Sequence, residues 1–455
     1  MNPSLISLLI PDSSKCCLWV HQHLIPVTSK KLLLNDNIHT FFKKFSSIYQ
    51  KHQRELVVSK YTRELEIIPS RKPYFLDYLE SKNQEFLNSL SYNNIDHLSE
   101  QLCNQKDKLN YLFEMASTEY HPIRNLISNQ TNIYHHFCPL SIQFEIEQNL
   151  SSHFIYTSTI DNHTVEIHTY TKKMSLSERF IGELLSRIHT LCKLTNEPRS
   201  LLKISLWCCQ SNKKIPVEKC LGSHSVNSAS TYIAHCHDVK VWRIEESRKV
   251  VSHELFHCMG LDFHNVPDFF HQKILSVFNI PDQEILFCEV YVEMWATIFN
   301  CFTISELLEN PEEVLSDLLN YERHYASFQT AKILYFFGFE NYEDFFNLKG
   351  FDQQQKQQSP YKQSSSILSY YILKAAVLFN INKFMDFCVE YNSHHGLKFM
   401  ENTDTYKAFL KLLLESLNND DFKKVVQFSF QKLPQLDKNS FLYTNLRMTC
   451  LETYF

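Results

Sequence analysis

Ser252-His253-Glu254-Leu255-Phe256-His257, followed by Cys258-Met259-Gly260, is the stretch on which the reading of this chain turns. As a helix it sets two imidazoles one turn apart on one face, the separation that a single tetrahedral zinc ion requires. The carboxylate of Glu254, beside the first histidine, then points toward the open position of such a metal. There it can take a proton from metal-activated water and pass it to a leaving amine. The flanks suit a buried helix, with Val250-Val251 ahead of the motif and Leu255-Phe256 within it. Gly260, one of only six glycines in 455 residues, stands three residues past the second histidine and reads as a helix stop.

Zinc needs a third protein ligand. About thirty residues on, Phe287-Cys288-Glu289-Val290-Tyr291-Val292-Glu293-Met294-Trp295-Ala296 reads as a strongly apolar helix carrying two carboxylates four residues apart. Buried acids are costly unless paired or bound to metal. One reading makes Glu289 the third ligand and Glu293 an acceptor that orients the imidazole of His253, with the roles exchangeable. The plainer one is a capped or salt-bridged helix face. Asp262 and His264, just after Gly260, are alternative third ligands, and His264 otherwise lines a cleft. The pairs His135-His136 and His235-x-His237 lack a partner cluster and read as surface groups. Cys258 adjoins His257, but neighbours on a helix point about 100° apart, so the two do not form a nucleophile and base.

Around these helices the texture of the chain changes twice. Residues 1–136 are expected to form a mainly helical region, as in Asp36 to Tyr49 with Phe41, Phe42, Phe45 and Ile48 at helical spacing. From 137 the pattern alternates, predicting strands at Ile142–Ile146, Phe154–Thr159, Thr164–Thr171, Leu201–Cys208 and Val239–Ile244. Between them Ser175-Leu176-Ser177-Glu178 has capping-box spacing ahead of an amphipathic helix, and Ser211–Tyr232 reads as a long loop. Glu245 opens the motif helix, which is expected to run to Met259. Residues 352–366, with Gln353-Gln354-Gln355-Lys356-Gln357-Gln358 and Ser364-Ser365-Ser366, are the candidate linker closing a domain over 137–351. A helical region, 367–455, follows. The expected fold is α+β: a mixed sheet with the motif helix and a helical lower lobe, flanked by mainly helical N- and C-terminal regions.

Composition excludes several classes. A formal charge of −5 without a dense Lys/Arg block argues against phosphate-driven nucleic-acid binding. With so few glycines there is no GxxxxGK[ST], GxGxxG or GxSxG, which disfavours nucleotide enzymes and serine hydrolases. Fourteen cysteines are scattered through apolar sequence without a CxxC pair, so buried reduced thiols are expected rather than a disulfide framework or a zinc finger. The short apolar run Leu5–Ile10 lacks the basic lead and length of a signal peptide, and Ile367–Ile381 is too short to span a bilayer. An intracellular, reducing compartment is the expectation, in the cytoplasm of a cell or an infected host cell.

The combination of the two helices resembles the gluzincin metallopeptidases, in which HExxH is followed after a spacer by a helix bearing a ligand Glu and often an acid one turn later. The likeness spans roughly Phe137 to Phe302. A narrower likeness, to peptidases predicted in large DNA viruses, involves Val226-Asn227-Ser228, Trp242-Arg243-Ile244-Glu245-Glu246, His253 to Phe263 and Tyr291 to Thr297. The chain departs from the metzincins, which extend the motif to HExxHxxGxxH: Phe263 stands where their third histidine would, and His264 comes one later. The resemblance implies a zincin-like core that holds Zn2+ and hydrolyses peptide bonds of a peptide or protein substrate. It also implies a strand, Val239–Ile244, that binds substrate in extended form at a sheet edge. Tyr291, His264 and His324 are candidates to stabilise the oxyanion. The alternative is a helical interaction protein with a structural or inactive zincin-like centre.

Overall fold

The computed structural model describes residues 3–28, 31–56, 59–63, 138–139, 142, 145–146, 149–150, 152–173, 175–216, 220–231, 238–281, 283, 285–346 and 359–453. The part of the N-terminal region over 64–136, His135-His136, His235-x-His237 and 352–358 of the expected linker lie outside them.

The sheet is built on a hairpin. Strands β2 (Ser152–Ile160) and β3 (His163–Thr171) are joined by Asp161-Asn162, both at positive φ (50° and 68°). That backbone twist matches the twist of the strands, and Asp and Asn tolerate it better than other side chains. Strand β1 (Ser59–Arg63) pairs antiparallel with β2. Helix α2 (Glu178–Thr195) then crosses over to β4 (Leu201–Trp207), parallel to β3, and β7 (Asp238–Val241) lies parallel to β4. The two-residue β6 (Ala229–Ser230) closes the order β1-β2-β3-β4-β7-β6, antiparallel to β7. The fold is therefore mixed α+β.

Several local expectations are corrected. Ile142, Glu145 and Ile146 are helical rather than extended. Ile142 and Ile146, four apart, both bury against Trp207 and Trp242, so the apolar spacing that suggested alternation serves one helix face. The cap of α2 is Ser177, whose Oγ accepts from Phe180 N at 3.2 Å, not Ser175. The expected loop over 211–232 contains β5 (Leu221–Gly222), a helical turn and β6. The strand into the motif helix ends at Val241. It is not the outermost, since Val241 and Lys240 pair with Ala229 and Ser230.

Below the sheet the chain is helical. Helix α1 (Asp36–Glu55) presents Phe41, Phe42 and Phe45 to the core. Helix α3 (Ser247–Cys258) carries the motif and α4 (Cys288–Glu306) the carboxylates; all of α3, and Cys288 through Ser305 of α4, are buried. A helix apolar all round must be enclosed by others. The enclosure includes α5 (Pro311–Phe336), a π-helical turn at Leu368–Leu373 running into α6 (Lys374–Phe379), α7 (Ile381–Tyr391), α8 (Thr403–Leu417) and α9 (Asp420–Lys432). One contiguous apolar cluster runs from Leu5 to Leu451. Within 359–366, Tyr361 is buried, and β8 (Gln363–Ser364) pairs parallel with β5. No helix among the described residues is long and apolar enough to cross a membrane.

Candidate metal centre

The motif helix starts and stops abruptly, and both ends set the site. Its N-cap, Glu246, is in the left-handed region at φ 59°, so the chain turns sharply out of β7 into α3. At its C-terminus Gly260 adopts φ 60°, Gly260 N donates to His257 O at 3.0 Å and Leu261 N to Phe256 O at 3.0 Å. This is the double hydrogen bond of a Schellman stop. A Cβ at Gly260 would meet nothing within 4 Å, so the backbone angle rather than space calls for glycine. The turn folds Asp262 back onto the helix it has just left.

Three donor atoms converge there. His253 Nε2 and His257 Nε2 are 3.2 Å apart, and Glu289 Oε2 lies 3.2 Å from the first and 3.3 Å from the second. Behind them, Asp262 Oδ2 is 2.7 Å from His257 Nδ1. Glu293 Oε1 stands 2.9 Å from His253 Nδ1, an ion-pair distance at an angle bent away from a good hydrogen bond. A carboxylate at each Nδ1 favours the tautomer protonated there and turns both Nε2 lone pairs inward. Two lone pairs and a carboxylate oxygen then face one another in a buried space, which is unfavourable without a cation between them. Two imidazoles and one carboxylate are a donor set suited to zinc and its first-row neighbours. The residues present therefore fit a divalent metal.

The charged groups around the centre also hold one another. Burial opposes ionisation of Glu289, but the imidazoles of His257 and His253 outweigh it and hold the carboxyl far below its usual range. Burial likewise works against a charged His257, yet Glu289 and Asp262 raise its pKa well above the ordinary value. Glu293 is buried too. Lys249, whose Nζ is 2.6 and 2.5 Å from its oxygens, and Lys374 at 3.4 Å overcome the burial and keep it ionised. Glu254 is pushed up to about 7 by burial, with the two histidines pulling the other way.

Glu289 thus faces both Nε2 atoms and Glu293 backs His253. Asp262 serves His257 from behind, and His264 points outward, 39% exposed, with Nε2 3.6 Å from Asp262 Oδ1. Neither joins the three converging donors. Two of the oxyanion candidates are engaged elsewhere. Tyr291 donates its hydroxyl to Gly396 O and Leu397 O, and His324 packs between Asn320 O and Thr28 Oγ1. Tyr370 stands closer to the centre: its ring centroid is 6.1 Å from that of His253, and its hydroxyl donates to Glu289. Nothing in the sequence singles it out, since Tyr370 is one of 23 tyrosines and sits far along the chain from the motif. Only the structure marks it, through the π-helical turn Leu368–Leu373, a distortion frequent at functional sites. Asp262, expected as a possible ligand, is instead the partner of His257 Nδ1. Eleven described cysteines are free thiols, but Cys258, at the end of the motif helix, is disulfide-bonded, so the expectation of reduced thiols fails there.

Compared with family models, with curated proteins and with solved structures, the chain matches none.

Proposed function

We propose that this chain is a zinc-dependent peptidase hydrolysing peptide bonds with water. The observation that carries the proposal is the convergence of His253 Nε2, His257 Nε2 and Glu289 Oε2 to 3.2–3.3 Å with a carboxylate behind each imidazole. When bound, Zn2+ supplies the Lewis acid that polarises the scissile carbonyl and lowers the pKa of water. Glu254, with a pKa near 7, takes the proton from the attacking water and returns it to the leaving amine. Tyr370, kept protonated by burial and by Glu289, Glu254 and Glu293, donates to the oxyanion that develops on the carbonyl. Asp262 and Glu293 hold the rings of His257 and His253. The gluzincin resemblance of the two helices supports the same reading.

Metal analysis and peptide-library cleavage on the full chain test it. The expected result is one tightly held zinc per chain, with cleavage lost to a chelator and restored by zinc. Glu254→Gln should keep the zinc and lower kcat/KM by a factor on the order of 10² to 10⁴. A protein without stoichiometric zinc, whose stability is the same in His253→Ala and Glu289→Ala, overturns the proposal.

One observation favours a structural centre in an interaction protein. His253, Glu254, His257 and Glu289 are all buried, between 5% and 8% exposed. Burial on this scale restricts the approach of a substrate, although structural zinc has as a rule four protein ligands where this centre has three. Stoichiometric zinc together with no effect of Glu254→Gln on any cleavage would select that reading.

A further inference from the structure

We propose a second metal site beside the first, in which Asp262 Oδ1, His264 Nε2 and Cys288 Sγ take a borderline-soft divalent cation such as Zn2+. The ligand atoms of these three residues lie within 4.8 Å of one another. A tetrahedral ion with bonds of about 2.0 to 2.3 Å sets its ligands roughly 3.3 to 3.8 Å apart, a spacing that His264 Nε2 and Asp262 Oδ1 already have at 3.6 Å, so binding draws the three side chains together.

The decisive observation is the asymmetry of Asp262. Its side chain is fully buried, yet only Oδ2 is used, on His257 Nδ1 at 2.7 Å. Oδ1 has no hydrogen-bond partner, and His264 Nε2 stands 3.6 Å from it. A buried carboxylate oxygen left without a donor is costly, and a cation at that point relieves the cost.

The other two ligands suit the task differently. Cys288 is the first residue of α4, buried beside Glu289 and Asp262, and its thiol has a proton to give up. An arriving cation replaces that proton, which leaves to solvent as the sulfur–metal bond forms. The ring of His264 is 39% exposed and gives the ion a route in. Thiolate with imidazole selects zinc, cobalt or cadmium over magnesium or calcium.

The site is coupled to its neighbour through Asp262 and through the Cys288-Glu289 peptide. A cation on Oδ1 withdraws charge from Oδ2 and loosens the hold on His257, so excess metal acts on the main centre from here.

The inference does not depend on peptide hydrolysis, and its test is spectroscopic. Metal-free full chain is titrated with Co2+ in the absence of thiol reductant. The main centre contains no sulfur, so a near-ultraviolet thiolate-to-cobalt charge-transfer band reports the second site alone. The expected result is a sulfur-free cobalt spectrum at the first equivalent and the charge-transfer band at the second. Cys288→Ser should abolish the band and leave the first equivalent unchanged. His264→Ala, at an exposed ring that the fold does not need, should weaken the second equivalent by at least about tenfold. The absence of any charge-transfer band, a band that persists in Cys288→Ser, or an unaltered second equivalent in His264→Ala overturns the proposal. Failure of the main centre reads differently, as a band that appears with the first equivalent and no sulfur-free spectrum before it.

Discussion

Tyr370 and Glu254 are the residues whose chemistry is most exposed to a direct test. The hydroxyl of Tyr370 bonds to Glu289, and under the proposed peptidase reading it is the donor to the oxyanion. Tyr370→Phe removes that donor and little else, because the ring packing stays. The expected outcome is a fall in kcat on the order of 10² with KM little changed and zinc content intact, read by steady-state kinetics and metal analysis. Glu254 must be ionised to act as a base. Its carboxyl is raised to about 7 by burial, and a bound cation draws it back down. The rate should therefore fall on the acid side, with a midpoint at or below about 7 in a pH profile of kcat/KM. A limb centred well above that value would assign the base elsewhere.

At the scale of elements, the contact of α1 and α2 with the sheet carries a titratable pair. His52 on α1 and His189 on α2 have ring centroids 5.9 Å apart, and His189 Nε2 is 3.1 Å from Ser158 Oγ on β2. Burial lowers His189 from 6.5 to about 4 and lowers His52 as well. Between those values the unfolded chain binds a proton that the folded chain refuses. The contribution of neutral His189 is therefore fully present above 6.5 and is lost as the pH falls toward 4. It amounts to about 3 kcal/mol. Urea unfolding at a series of pH values should show stability dropping over that range, with a shallower slope in His189→Asn.

At the scale of the whole molecule, residues 445–453 form a buried, irregular segment that holds the motif helix from below. Its backbone is satisfied largely by side chains. Glu246 accepts from Met448 N and Thr449 N, Glu322 from Cys450 N at 3.2 Å, Lys374 donates to Met448 O at 2.8 Å, and Asn300 to Leu451 O at 3.1 Å. Glu246 also pairs with the buried Lys213 at 2.8 Å. Backbone groups buried outside regular structure need such partners. Glu246→Ala would strand Lys213 and two amides together, so a loss of about 3 to 5 kcal/mol is expected in chemical denaturation. A loss of under about 1 kcal/mol would mean that water replaces the carboxylate and that the segment does not brace α3.

Much of this design was legible in the sequence because it rests on short-range geometry. Spacing of four along a helix is enough to put His253 with His257 and Glu289 with Glu293, and Gly260 marks the stop that the left-handed angle requires. The apolar run of α4 by itself implies burial, and the strands β2, β3 and β4 follow from alternation. Which carboxylate faces the Nε2 atoms was decided by the packing of α4 against α3, since both acids lie on one face of the same helix. The roles of Tyr370 and Lys374 were also tertiary, because each acts across a gap that no local pattern spans, whereas Asp262 reaches His257 through the local turn at Gly260. Alternation failed at Ile142–Ile146, where the same apolar spacing serves a helix face once Trp207 and Trp242 supply the surface. Local order along the chain determined the motif and its helices; only the approach of distant segments could turn the polar side chains of α3 and α4 toward one another and balance their charges.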